Sequence, residues 1–467
     1  MTMNKKYLLS LLAAASMAAT AYAGGWGGID TGLLSRLQES YAPTAADRAL
    51  RNALATQDID KLAFNADSRN GYDTHFSDRV KSSGITDQKR SGRCWLFTGL
   101  NMLRAQMMAK NNMGELMLSQ CYNFFYDQLE KSNLFLQGII DTADCPMDDK
   151  MVDWLFANPL SDGGQFTGIA DNIMKYGVVP QSAMAETYSS ENTSRLNRLL
   201  SLKLRQYGLE LRDMKQKGQS AADITARKEE MLKTVYRILA QTLGEPPAQF
   251  TWTLRDKDGN AVSTDTYTPQ QFYRKFAGGD LKHDYVMLMN DPSREYYRLY
   301  EIDFDRHTYD GENWTYVNLP IEDIKQMAIK SIKDSTMMYF SCDVGKFFDR
   351  DRGYLDTETY DYGDLLGTDF PMSKADRIRT HASASSHAMT LMAVDLDKDG
   401  KPVKWMVENS YGPGANDGHV IITDRWFDEY MFRLVVEKKY APARVLEILK
   451  QKPQLLPAWD PMFAPEE

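Results

Sequence analysis

Cysteine is scarce in this sequence. Four thiols in 467 residues (Cys94, Cys121, Cys145 and Cys342) cannot supply the dense staple network of a small secreted scaffold. No CxxC pair or other metal-knuckle spacing occurs among them. One bridge, Cys121 to Cys145, is possible in an oxidising compartment, and the remaining thiols need another reason to exist. The six histidines include neither HExxH nor a helical pair, so a catalytic zinc has no ligand set. Excess positive charge is missing as well: 55 Lys and Arg face 64 Asp and Glu, a formal charge of −9. That balance argues against a nucleic-acid partner, which needs a basic face. Beyond the N-terminal region no apolar run approaches membrane-spanning length. P-loop, strand-borne GxGxxG and GxSxG signatures are all absent, as are internal repeats. Asp395-Leu396-Asp397-Lys398-Asp399-Gly400 imitates the opening of a calcium loop. Its twelfth position would be Met406, where a bidentate glutamate is required, so we assign it to a hairpin turn instead.

What is present is globular: 43% hydrophobic and 25% charged residues, with 25 Tyr, 19 Phe and 8 Trp for a packed interior. The length suits roughly three domain-sized units, or one enzyme fold with a large insertion. Lys5 and Lys6, the mostly apolar stretch Tyr7 to Ala19 and the small-x-small site Ala21-Tyr22-Ala23 read as an export signal cleaved after Ala23.

Periodicity then divides the chain. Residues 24–75 begin with a glycine-rich joint and continue as a polar, partly helical arm. Helices are expected from Cys94 to Lys110, around Ser119 to Lys131 and from Thr167 to Tyr176. Leu196, Leu199, Leu200, Leu204, Tyr207 and Leu211, followed by Ile224, Met231, Leu232, Val235, Ile238 and Leu239, form two apolar stripes at helical spacing, a hairpin broken at Gly218. From residue 249 strands dominate, with Asp258-Gly259 as a hairpin turn. A helix is expected over Ile321–Asp334. Short strands are expected at 337–342, 388–395, 403–408 and 419–423.

Cys94 ends the polar loop Asp87-Gln88-Lys89-Arg90-Ser91-Gly92-Arg93 and begins an apolar helical run. A thiol at a helix N-terminus is biased towards thiolate by the positive dipole end. Gln88, six residues earlier, is suited to aim a side-chain N–H at an oxyanion beside the Cys94 backbone N–H. A thiolate nucleophile needs a base, and the base an orienter. His387 opens one strand and Asn409 closes the next, so one hairpin brings them within hydrogen-bond reach. Taken singly, a lone cysteine is by default a buried structural thiol and a lone histidine a packed one.

The order Gln88, Cys94, His387, Asn409, with the local sequences around them, resembles the papain-like cysteine peptidases, specifically the bleomycin hydrolase (aminopeptidase C) branch. Further matching pieces are Gly163-Gly164-Gln165, Cys342-Asp343-Val344-Gly345-Lys346 and Leu456-Pro457-Ala458-Trp459-Asp460-Pro461-Met462. The resemblance implies an α+β papain-like fold: a helical domain plus an antiparallel β-barrel-like domain, with a large helical insertion and a C-terminal tail in the cleft. The implied division is a signal at 1–23, an arm at 24–75, a helical domain at 76–195, an insertion at 196–335, a β-rich domain at 336–450 and a tail at 451–467. It implies Cys94 as nucleophile, His387 as general base and acid, Asn409 as orienter and Gln88 as oxyanion donor. Gly163, Gly164 and the terminal carboxylate of Glu467 become substrate-binding groups. No metal or organic cofactor is implied. The implied partners are peptides and five further copies of the chain in a hexameric ring, with neither nucleic acid nor membrane. Four features depart from that pattern: Tyr411 where relatives commonly carry Trp, a tail ending in Pro465-Glu466-Glu467, the export signal, and a net negative charge that disfavours the basic nucleic-acid channel of some relatives. A papain-type endopeptidase and a catalytically silent peptide-binding homologue are the alternatives.

Overall fold

The computed structural model describes residues 27–70 and 73–463. Two compact units divide the chain at Phe64. In the first, α1 (Thr31–Ser40) is capped by the Asp30 carboxylate, which accepts from Leu33 N, and α2 (Ala45–Leu54) opens with a capping box on Thr44 and Asp47. These side chains satisfy donors that a helix start leaves open. A single turn, α3 (Ile59–Ala63), follows. Neither α1 nor α2 buries a residue.

The second unit opens its helical part with α4 (Cys94–Asn111), α5 (Gln120–Asp141), α6 (Lys150–Ala157) and α7 (Phe166–Tyr176). α4 is buried along most of its length, which is why its sequence is apolar nearly all round. A short α8 (Tyr188–Glu191) leads into the long hairpin α9 (Ser194–Gln216) and α10 (Ala221–Leu243). Its seam is Leu196, Leu200, Leu204, Tyr207 and Leu211 against Ile224, Met231, Val235 and Leu239, all buried. Each such side chain contributes about 1.5–3 kcal/mol by leaving water. Leu199, expected in this stripe, is instead 56% exposed, because the 4-4-3-4 spacing of the seam leaves it on the flank.

The sheet part begins with β1 (Asp78–Arg79), far ahead of the rest in sequence. A separate hairpin pairs β2 (Phe250–Arg255) with β3 (Ala261–Tyr267), and α11 (Pro269–Phe276) follows it. Next come β4 (Tyr285–Met289), β5 (Arg298–Ile302), β6 (Thr315–Asn318), α12 (Ile321–Lys333) and β7 (Met338–Cys342). The chain then forms β8 (Phe348–Asp349), β9 (Tyr354–Leu355), β10 (His387–Leu396), β11 (Pro402–Glu408), β12 (His419–Thr423), β13 (Met431–Glu437) and β14 (Gln454–Leu456). The strand order is β14-β5-β6-β4-β13-β7-β10-β11-β12-β9-β8, with β1 beside β10.

Its centre is antiparallel, but β12–β9, β14–β5 and β4–β6 pair in parallel, so the sheet is mixed rather than wholly antiparallel. Strands β4–β6, within the stretch read from sequence as an insertion, are hydrogen-bonded into this sheet. The Asp397–Gly400 segment is the turn between β10 and β11, with Asp397 Oδ1 accepting from Asp399 N and Lys401 N. Cys121 and Cys145 are both thiols, not a disulfide. The Cys121 Sγ donates to Leu243 O at 3.4 Å, and burial pushes its pKa up to about 12.

Candidate active site

The contact between α4 and β10 brings the singled-out residues together. α4 starts at Cys94 with Arg93 as N-cap, which makes no side-chain capping bond. The Arg93 guanidinium is wholly buried, 2.9 Å from Glu186 Oε2 and over the rings of Phe97 and Phe124. Cys94 is fully buried, and its Sγ accepts from Ala388 N at 3.5 Å. Ala388 follows His387, so the helix-borne sulfur lies against the start of β10. Arg93 O takes Leu96 N and Phe97 N, both at 3.0 Å, and the positive dipole end of α4 favours negative charge on this sulfur.

His387 is fully buried, and its Nε2 lies 2.8 Å from Asn409 Oδ1. An amide oxygen can only accept, so Nε2 carries the proton in that bond and Nδ1 is the acceptor nitrogen of the neutral ring. The same Oδ1 accepts from Ser410 N at 2.8 Å, and Asn409 N donates to Gly418 O at 3.1 Å. Tyr411 covers this pair with its ring centroid 4.8 Å from that of His387 and its hydroxyl 3.5 Å from Nδ1. Its phenol pKa is raised, first by burial and next by Cys94.

Gln88 is fixed at both ends of its amide. Its Oε1 accepts from Ser410 Oγ at 2.6 Å, and its Nε2 donates to Ser91 O at 2.7 Å. One of the two Nε2 hydrogens is used there, which leaves one N–H for a ligand. Gln88 N also donates to Ser410 O at 2.8 Å. The loops bearing Gln88 and Asn409 are therefore stitched together by two bonds.

Gly163 and Gly164 precede α7 on a loop clamped from several sides. Gly92 N donates to Asp162 Oδ2 at 2.8 Å, Trp95 Nε1 to Asp162 O at 2.8 Å, and Thr193 Oγ1 to Asp162 Oδ2. Lys131 Nζ donates to Gly163 O at 2.6 Å and Ser161 O at 3.0 Å, and lies 2.9 Å from Asp127 Oδ2. Gly163 N donates to Ser161 Oγ at 3.0 Å. His307, 2.6 Å from Asp127 Oδ1 through Nδ1, fills the space beneath. A Cβ on Gly164 would come within 2.2 Å of the His307 ring, so only glycine fits there. Burial pushes the His307 pKa down, and Lys131 acts the same way. Burial opposes ionisation of Asp127, but Lys131 and His307 outweigh it and hold that carboxyl below its usual value. A cavity of about 370 Å³ adjoins this loop, lined by Trp154, Leu160 and Phe304 together with Trp459 and Phe463 of the tail, and the Trp154 and Phe463 rings meet edge to face at 5.3 Å. Glu467 lies outside the described residues. Among those residues no cluster of three or more His, Cys, Asp or Glu is arranged to hold a metal ion.

Asp127, Lys131, Asp162 and His307 escape a reading of the sequence. The i, i+4 spacing of Asp127 and Lys131 suggests a helix-surface pair, whereas the structure turns both inward. Nothing local to His307 points to a glycine loop 143 residues earlier.

Cys94 on a buried helix lies against the strand opened by His387, whose imidazole is bonded to Asn409, and comparison with known proteins gives the class as a cysteine-type peptidase. The chain belongs to the Peptidase C1-like family, whose model matches residues 28–463. Aminopeptidase C of Lactobacillus delbrueckii subsp. lactis is 38% identical over 419 residues, covering 88% of this chain and 93% of the relative. Bleomycin hydrolase of Homo sapiens is 39% identical over 389 residues, covering 81% and 86%. The crystal structure of PepW from Lactobacillus rhamnosis superposes with a TM-score of 0.90 at 40% identity, covering 94% of this chain and all of that one.

The clamp makes a prediction for a peptidase of this family. Lys131→Met removes the cation that holds two loop carbonyls and leaves Asp127 with His307 and the Gln128 amide but without its lysine. Denaturant unfolding is expected to show a loss of about 3 kcal/mol. Steady-state kinetics are expected to show KM for peptides raised about tenfold, with kcat less affected, as for a lost binding contact. An unchanged KM would mean that the loop holds its shape without the lysine.

Proposed function

We propose that this chain is an exported thiol aminopeptidase that removes residues from the free N-termini of peptides. The observation that carries the reading is the 2.8 Å bond from His387 Nε2 to Asn409 Oδ1, made beside a Cys94 sulfur that accepts from Ala388 N. That bond turns the acceptor nitrogen Nδ1 away from Asn409, and Cys94 is the group it serves as base. Proton transfer gives a thiolate and imidazolium. The sulfur attacks the substrate carbonyl, and the oxyanion takes hydrogen bonds from the remaining Gln88 Nε2–H and the Cys94 N–H. Collapse breaks the C–N bond as His387 donates its proton to the departing amine. Water, deprotonated by His387, then hydrolyses the thioester and restores the thiol. Tyr411, in place of an indole, shields the His387–Asn409 bond from water.

Selectivity for free N-termini is assigned to the tail. Its path along the cavity wall as far as Phe463 supports placing the carboxylate of Glu467 in the cleft, with Gly163 and Gly164 opposite. A carboxylate and an ammonium attract strongly where water is partly excluded. Export with cleavage after Ala23, a hexameric assembly and the absence of nucleic-acid and membrane partners complete the reading. The names of the aminopeptidase C and bleomycin hydrolase relatives support the peptidase part of it.

The test is hydrolysis of one peptide with a free N-terminus against its N-acetylated twin, under reducing conditions. Loss of cleavage on acetylation is expected. Equal internal cleavage of both would make this an endopeptidase, and cleavage of neither would favour a silent peptide-binding homologue.

A further inference from the structure

The tail leaves the sheet at Leu456, whose carbonyl accepts from Asp303 N at 2.9 Å. From Pro457 to Phe463 no strand pairing guides it, and Asp460 is its sole charged residue. This carboxylate organises the whole turn. Asp460 N donates to Pro457 O, Met462 N to Asp460 Oδ1 and Phe463 N to Asp460 O, each at 2.9 Å. The other carboxylate oxygen, Oδ2, takes the Nη2 of Arg294.

Arg294 itself is held by the sheet side of the molecule. Its Nη1 donates to Tyr316 Oη at 3.1 Å and lies 3.2 Å from Asp291 Oδ2. The side chains of Arg294, Asp460 and Asp291 are 18%, 5% and 0% exposed, so water screens this pairing little. A second arginine, Arg433, buried over the Trp314 ring, donates through Nη2 to Met462 O at 2.5 Å. Met462 is itself fully buried, while Trp459 and Phe463 on either side of the turn face the cavity beside Gly164. One turn of chain is thus fixed by its single charge and by one carbonyl, at the end of the described residues.

We infer that the Arg294–Asp460 ion pair is a latch that positions the tail and thereby sets exopeptidase selectivity. This rests on the aminopeptidase reading above. Asp460 touches no reacting atom and is a positioning residue. Its role is to deliver the following residues to one place rather than to several. Without the latch the segment after Pro457 keeps the Arg433 contact but loses its charge-assisted anchor, and the cleft opens to peptides with blocked or extended N-termini.

Asp460→Asn isolates the charge. Asparagine still caps Met462 N, and Arg294 keeps Asp291 and Tyr316, so the fold has no newly unpaired buried charge. Cleavage of the free and N-acetylated peptides by this variant and by wild type is the measurement. The expected result is a rise of at least tenfold in cleavage of the acetylated peptide, with free-over-acetylated selectivity falling by the same factor. Such a gain of activity cannot come from mere loss of stability. Selectivity within twofold of wild type would overturn the latch and leave the aminopeptidase reading standing, even if the variant melted earlier. Wild-type enzyme that cleaves both peptides alike would overturn the reading itself, and the latch with it.

Discussion

Cys94→Ser is expected to lower peptide hydrolysis by at least about 10⁴-fold while the protein stays folded, the scale seen when a nucleophile is removed from a machinery that works as a unit. A serine hydroxyl is a far weaker acid than a thiol, so the proton transfer to His387 proposed above becomes far less favourable. His387, oriented by Asn409 at 2.8 Å, has been placed for a sulfur, whose larger radius and longer bond bring it nearer to the ring. The structural cost is small. Cys94 is fully buried at the first position of α4, and its sulfur accepts a weak bond from Ala388 N at 3.5 Å. Serine is well tolerated near a helix start and is smaller, so no overpacking follows. Initial rates and a thermal melt on the same preparation check both halves. Residual activity above about one per cent of wild type would remove Cys94 from the nucleophile role.

Deleting Pro465–Glu467 is expected to convert selectivity rather than to abolish activity. Among the described residues the tail is anchored by β14 beside β5, the Asp460 turn and the buried Met462. The truncated chain should therefore fold as before, ending in a carboxylate at Ala464. Three residues of extended chain span about 10 Å, so that carboxylate falls well short of the substrate ammonium that Glu467 is proposed to meet. A charge pair in a partly dry cleft, worth about 3 kcal/mol, corresponds to roughly a hundredfold in selectivity. Peptides with acetylated N-termini should become substrates, cut internally, and free N-terminal peptides should lose their advantage by about that factor. Chromatography of the fragments distinguishes stepwise trimming from internal cuts. Acetylated peptides that stay intact with the truncated enzyme would count against the tail as the source of selectivity.

Local sequence carried much of this site. The polar-to-apolar switch at Arg93–Cys94 is a helix boundary, and α4 begins at Cys94. Strand alternation bounded His387 and Asn409, and a single hairpin connects them, so their approach followed from register. Where several partners compete for one face, local pattern failed. Leu199 fits the apolar stripe of α9 yet faces solvent, since the real seam is chosen by α10 and α5. Cys121 and Cys145 are thiols, since burial of Cys121 within the helical core decides its chemistry. The segment 285–318 reads as ordinary short strands. Its membership of the main sheet depends on β13 and β14, contributed more than a hundred residues later.

The sequence by itself determined the elements, the boundary that sets a thiol at a helix start, and the family, because those depend on residues within a few turns of one another. The tertiary structure alone decided that Lys131 and Asp127 turn inward to grip the Gly163 loop, that His307 fills the space beside Gly164, and that Arg294 and Arg433 hold the tail. The contacts to the loop and the tail join residues 29 to 166 positions apart. A charge finds such a partner through burial, where an unpaired ion is costly, and no spacing rule in the chain encodes it.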